Sequence, residues 1–420
     1  KLWTPPDTVY WGRVDFALGV QAYTHAARDP VHPAGDGGAW PFGSLEFLGV
    51  FGPVVAHAEL YGENRLRDDP YWPANVTGAT LPTNLVYRYP VAYIGAQWKP
   101  AELFLGTLSR EWGPRGVPGI PTSSWGYPIA HGAFNVGTRD LRLQGIVAQL
   151  EDVADTAGQV IHRYQVAQRL GFQVTPKINL ALWQTAIIAG VDENLNAKWI
   201  TPVGVFLLGN TFSAGDESNV MIGGDGKIVF NSGVALEGQV AIDDFKWFDQ
   251  GDTASYPSRY AFTISAMGPL GSRGSWRALY TQVSTYAFRT FNPDQDYTNI
   301  GVGLGREFVD GDQLTLTTAW PVRENWVVTP ELTFLRQGAA QITDSFPPSL
   351  NGLDGFLSGV VAKTARVAVG VRGQQGHLRV QGNIGVNQTW NAEHIEGNTA
   401  TTFVAQLWAT LRIGKKGALR

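Results

Sequence analysis

Residues 402–413 alternate apolar and polar side chains almost without interruption. Phe403, Ala405, Leu407, Ala409, Leu411 and Ile413 fall on one face, and Thr402, Val404, Gln406, Trp408, Thr410 and Arg412 on the other. A period of two marks a strand with one apolar and one polar face. Half-buried strands of soluble sheets run to about five or six residues, whereas a tilted strand needs roughly 9–11 to cross a bilayer. The length of this segment predicts a membrane-crossing strand.

The pattern recurs along the chain. Ala365, Val367, Val369 and Val371 alternate with Arg366, Ala368, Gly370 and Arg372, and Leu378, Val380, Gly382, Ile384 and Val386 alternate with Arg379, Gln381, Asn383 and Asn387 across a Gln374-Gln375-Gly376 turn. Leu141, Leu143, Gly145 and Val147 oppose Arg142, Gln144, Ile146 and Ala148. Val160, Tyr164, Val166 and Leu170 oppose Arg163, Gln165 and Arg169. Further strands are expected at 93–98, 103–108, 178–189, 260–264, 276–288 and 300–304. Turns are expected at 99–101, 174–177, 268–271 and 310–312, the Gly, Pro and Asp clusters that punctuate strands.

An apolar face opposite an Arg-, Gln- and Asn-rich face is the signature of an outer-membrane barrel. At roughly 20–25 residues per strand and connection, the length implies about 18 strands, with 16 as the alternative even number. The predicted fold is all-β: one antiparallel transmembrane β-barrel over 1–420. Segments 27–41, 62–83, 111–137 and 344–359 are rich in Gly and Pro and lack the period, so they are expected to fold into or over the lumen. A β-propeller would show a repeat of about 40–45 residues, and none is visible.

Composition agrees. The chain is 44% hydrophobic but 16% charged, below the ordinary value of about 25%, and carries 15 Trp and 50 Gly. A net charge of −4 gives no electrostatic case for nucleic acid. No run of about 18 apolar residues predicts a transmembrane helix; the most apolar stretches, Val203–Leu208 and Ile178–Val191, are short or interrupted. Cysteine is absent, which removes disulfides and thiolate metal sites. No signal peptide is visible at Lys1, so an exported protein is expected to have lost it already. Trp183, Trp199, Trp247, Trp276, Trp320, Trp326 and Trp408 lie near strand ends, where some of them are expected to form aromatic belts.

Candidate chemistry is sparse. Arg110-Glu111-Trp112-Gly113-Pro114-Arg115 closes a strand and opens a long Pro/Gly loop. An aromatic face beside Arg forks suits a sugar carrying carboxylates; the alternative is a turn anchored by Trp112. Lumen-facing arginines Arg142, Arg163, Arg169, Arg366, Arg372, Arg379 and Arg412 suit an acidic polysaccharide or anion selection, or else pair with Glu237 and Glu331. The glycan-binding set is therefore Arg110, Trp112, Arg115, Arg142, Arg163, Arg372, Arg379 and Arg412. Asp243 and Asp244 point to opposite faces of a strand, unlike a catalytic carboxylate pair. Asp192–Asn196 resembles the start of a calcium loop, but Ala197 stands where that loop needs Gly. No catalytic residue, cofactor or metal is expected.

In order along the chain, Asp36-Gly37-Gly38-Ala39-Trp40, then Trp112-Gly113-Pro114 with Leu141–Glu151, then Asn219–Asp225 with Glu237 and Asp243-Asp244-Phe245 resemble the capsule-assembly outer-membrane family Wzi. The resemblance covers about residues 35–250. It implies an 18-stranded barrel in the bacterial outer membrane that binds capsular or exopolysaccharide at the cell surface and helps organise its attachment without catalysis. The sequence departs from that family in starting almost directly with strand-like sequence rather than a helical bundle, and in ending on Gly414–Arg420 rather than on an aromatic residue. A diffusion porin or substrate-selective channel is the alternative on the same wall, and an outer-membrane hydrolase the third. Expected partners are outer-membrane lipid and polysaccharide.

Overall fold

The computed structural model describes residues 10–71, 86–154, 157–191, 195, 197–201, 203–206, 218–244, 257–306 and 308–418. Eighteen strands form one closed antiparallel wall, each bonded to its neighbour in sequence. Closure comes from Tyr10–Tyr23, which pairs with Gly38–Phe51 on one side and with Thr399–Ala418 on the other. At one end the strands are joined by turns of two to five residues, and at the other by connections of eight to 27. The two ends are called the turn end and the loop end.

The alternation sorts side chains as the sequence predicts. Phe403, Leu407, Leu411 and Ile413 are exposed on the outer face, with Val14, Phe16 and Leu18 on one neighbouring strand, Ile384 and Val386 on the other, and Val367 and Val369 one strand farther. A continuous apolar exterior is stable only against lipid. At the turn end Trp276, Trp320 and Trp326 face outward and pack over Gly268, Gly274 and Gly373; a Cβ would crowd the first ring and collide with the other two. These three lie on adjacent strands, an outward aromatic patch at the turn end. Trp183 and Trp408 instead face the lumen, Trp199 is buried in a loop, and Trp247 lies outside the described residues.

Several expected boundaries are corrected. The strand expected to run from 276 to 288 is Gly274–Val283, and 300–304 is not part of the wall. Residues 284–310 are one long inward segment, holding a two-residue pair, Thr298–Asn299 with Val302–Gly303. Its apolar residues mimic strands because they build a core inside the barrel: Ala287, Phe288, Tyr297, Leu304 and Val309 pack with Ile120, Trp183, Met221 and Val283. Conversely, Ile129–Gly137, expected within a loop, is a wall strand whose small residues blur its alternation. Gly38–Pro41 likewise belongs to a strand. The turn expected at 268–271 lies at 271–273, and Gly268 and Pro269 are paired in the wall.

One segment folds outward. Trp199 and Phe206 are fully buried against Val166, Ala186 and Ile188, which lie on the same outer face as the exposed Leu180 and Leu182. Two polar residues on that face explain how. Gln168 donates to the Thr201 carbonyl at 2.6 Å; Gln184 donates to the Gly204 carbonyl and accepts from the Phe206 N–H at 2.9 Å. Backbone at lipid depth must find partners within the protein, and these glutamines supply them. Ile200, Val203 and Val205 point away from the wall, giving part of the apolar stretch 203–208 a lipid-facing place. Residues 192–194 and 196, with the rejected calcium loop, lie outside the described residues.

Candidate functional site

Among the described residues, four segments from the loop end contribute to the filling of the lumen: 24–37, 109–128, 284–310 and 338–361, the last through Ile342 and Ser358. The second reaches far down. Its Arg115 N–H donates to Glu237 Oε2 at 2.9 Å, and Arg277 donates to the Arg115 carbonyl at 3.0 Å; Glu237 and Arg277 both sit near the turn end of their strands. Gln239 fixes the path between by accepting from the Ile120 N–H at 2.8 Å and donating to the Trp112 carbonyl. Tyr297 ties the segment to 284–310 and to the wall: its hydroxyl donates to the Pro121 carbonyl at 2.8 Å and accepts from Gln165 at 2.9 Å. Pro30, from the first segment, accepts from Asn387 at 2.8 Å. Asp310 closes the far side, accepting from Thr285 and from the Ser358 hydroxyl, each at 2.6 Å.

This filling decides the fate of the expected site residues. Trp112 is buried against Ile146 and Ala167, so its ring faces are packed and it anchors the loop. The expectation that it stacks on a sugar from outside is corrected by that burial. Arg110 lies over Phe104 and donates to His131 Nε2 at 2.6 Å; His131 Nδ1, 2.7 Å from the Ile129 carbonyl, carries the ring proton. Arg163, 3% exposed, donates to the carbonyls of Asp294, Asp296 and Thr298 at 2.6, 2.9 and 3.0 Å. Arg169 forks onto Asp225 at 2.6 and 2.9 Å, and Arg366 is held by Asn383 and Asn387, each at 2.9 Å. Arg115 is exposed but lies toward the turn end, not at the external strand ends where it was expected. Arg142 is exposed at the turn end and donates to the Thr138 carbonyl at 3.2 Å.

Arg372, Arg379 and Arg412 are brought together on adjacent inward rungs of the last three strands. Arg379 and Arg412 line a turn-end chamber of about 470 Å³, and Arg372 lines a smaller cavity that shares Gln381 and Trp408 with it. Arg412 is neutralised by Asp15 at 2.9 Å and by Glu46. Asp243 accepts from the Phe288 N–H at 3.0 Å and lies 3.6 Å from Arg259, a structural place.

A second chamber, of about 670 Å³, lies among the loop-end connections. Trp125, Tyr127 and Tyr71 bring rings to it, with Arg28, Asp29 and His32. Arg28 sits 4.3 Å from the centre of the Trp125 ring and also donates to the Trp125 carbonyl. Burial pushes the Arg28 guanidinium below its usual range. Burial works to raise the Asp29 carboxyl, but His32, whose Nδ1 is 2.6 Å away, holds it low. Burial raises the phenols of Tyr127 and Tyr71. The floor is Arg65, which donates to Gln21 at 2.8 Å, to the Ala26 carbonyl at 2.6 Å and to Asp69 at 2.9 Å. Rings bordered by charged forks suit a sugar with acidic substituents. Sequence reading missed these residues because they lie apart in three loops without a shared motif.

No protein-family model and no curated protein matches the chain. Among solved structures, Wzi of Escherichia coli, an outer-membrane protein involved in group 1 capsule assembly and a carbohydrate-binding β-barrel, superposes with a TM-score of 0.63 at 14% identity, over 95% of this chain and 84% of that one. OprD of Pseudomonas aeruginosa superposes with a TM-score of 0.51 at 11% identity, over 96% and 95% of the two chains. OccAB4 of Acinetobacter baumannii gives 0.50 at 10% identity, over 98% and 100%. At these identities the likeness establishes the fold: a closed 18-stranded barrel of the outer-membrane type, similar to Wzi and to the OprD and Occ barrels.

Proposed function

We propose that this protein is an outer-membrane barrel that binds acidic polysaccharide through its loop-end chamber, without catalysis, and contributes to attaching capsule or exopolysaccharide at the cell surface. The short turns then face the periplasm and the long connections the exterior, as in bacterial barrels generally. The observation that carries the reading is the ring-lined chamber over a lumen whose middle is occupied by chain. Chain packed across the middle of the lumen supports a binding surface over an open pore. The fold shared with a carbohydrate-binding barrel supports the same reading.

A channel for small anionic or sugar solutes is the competing reading, supported by the likeness to OprD. Binding of acidic oligosaccharides to the purified barrel separates the two. Trp125→Ala and Tyr71→Ala are each expected to weaken binding about tenfold, the loss of roughly 1.4 kcal/mol. Unchanged binding in both variants contradicts the loop-end site.

A further inference from the structure

The turn-end chamber and the smaller cavity that shares Gln381 and Trp408 with it hold two arginines that the fold does not use. Arg372 and Arg379 both face the lumen and are exposed to it, and neither has a hydrogen-bond or ion-pair partner among the described residues. Their fellow lumen arginines are committed: Arg13 and Arg412 to Asp15 and Glu46, Arg366 to two asparagines. A guanidinium in a chamber walled by protein carries no structural obligation when unpaired, so its charge is available to a ligand.

Beside them stands an aromatic face. Trp408 is the Cα partner of Gln381, which is in turn the partner of Arg372, so Arg372, Gln381 and Trp408 form one rung across three strands. Arg379 and Thr410 form the next rung toward the turn end. Trp408 is 39% exposed. Its ring is held edge-on by Phe42 at 5.6 Å, which itself stacks on Tyr61 at 5.5 Å. The indole is thus fixed from behind while part of it remains open to the chamber. Gly19 makes this possible: a Cβ there would overlap the Phe42 ring.

We infer that these two adjoining cavities form a second binding site, distinct from the loop-end chamber, for a pyranose unit bearing a carboxylate. The sugar ring stacks on Trp408, Gln381 bonds a hydroxyl, and Arg372 and Arg379 take the carboxylate, for which a planar guanidinium fork is the geometric match. A bare anion would have no use for the indole, and a neutral sugar none for the two free charges. The inference rests on residues at the opposite end of the lumen from the loop-end chamber and stands or falls separately from it.

The test uses the purified full-length barrel carrying Trp125→Ala together with Tyr71→Ala, which weakens the loop-end chamber, and titrates trigalacturonate against maltotriose and inorganic phosphate by calorimetry. Trigalacturonate is expected to bind at least tenfold more tightly than either comparison ligand. Arg372→Gln with Arg379→Gln is expected to weaken it at least tenfold, and Trp408→Ala by a similar factor. Retained heat-modifiability on gels confirms that each variant is folded. The inference is overturned if trigalacturonate does not bind in the Trp125→Ala, Tyr71→Ala background, if the double glutamine variant binds within twofold of its parent, or if phosphate binds as tightly and Trp408→Ala changes nothing.

Discussion

Arg163 and Arg372 occupy equivalent places in the strand pattern: each points into the lumen from an alternating strand. Their surroundings make them opposites. Arg163 lies where segment 284–310 packs, and its guanidinium closes three backbone carbonyls of that segment. Arg372 lies where the inward segments leave a chamber, and it touches no partner among the described residues. An inward arginine is therefore a fastener or an uncommitted charge according to what the loops bring to it. The strand alone does not say which.

Substitutions can break that contrast, the largest effect first. Arg163→Ala leaves two buried acceptors and one part-buried acceptor bare, the buried ones at roughly 1–3 kcal/mol each, and is expected to cost about 3–5 kcal/mol in urea titration of the lipid-reconstituted barrel. A loss under about 1 kcal/mol would show that the segment does not depend on this residue. Val369→Arg moves the same side chain to the opposite face of the strand that carries Arg372. Near mid-wall it is expected to cost about 2–4 kcal/mol, read by the same titration; no loss would mean that this face does not meet hydrocarbon. Gln184→Leu strips the outward segment of one donor and one acceptor. It is expected to raise hydrogen exchange at 203–206 by about tenfold, while the wall strands exchange as before. Equal exchange would show the segment to be held by Trp199 and Phe206 alone. Arg372→Gln is expected to change stability by less than about 0.5 kcal/mol; a loss near that of Arg163→Ala would erase the contrast.

The wall was legible because lipid imposes one rule on every strand, and residues 403–413 obey it without exception. Strand number and the closed antiparallel order followed from length and that repeated rule. Segment 284–310 was not legible, because apolar residues buried in a lumen core look like apolar residues facing lipid. Ile129–Gly137 was hidden for the opposite reason, its Ala and Gly residues leaving too little contrast between faces. The site fared less well than the fold. Trp112 was conspicuous in its motif, yet burial against Ile146 and Ala167 gives it packing work. Trp125 and Tyr127, farther along the same loop, face a chamber only because the chain crosses the lumen and returns. The alternation alone places Arg372 and Arg379 in the lumen, but their availability depends on where the distant inward loops stop.

The two chambers are separate compartments if inward-folded chain closes the lumen between them. Single-channel recording of the wild-type barrel in planar bilayers tests this most directly. A closed middle predicts no sustained ohmic conductance, with current steps appearing in Arg163→Ala as its segment loosens. Steady wild-type conductance of the size expected for an open barrel would contradict the account and favour the channel reading.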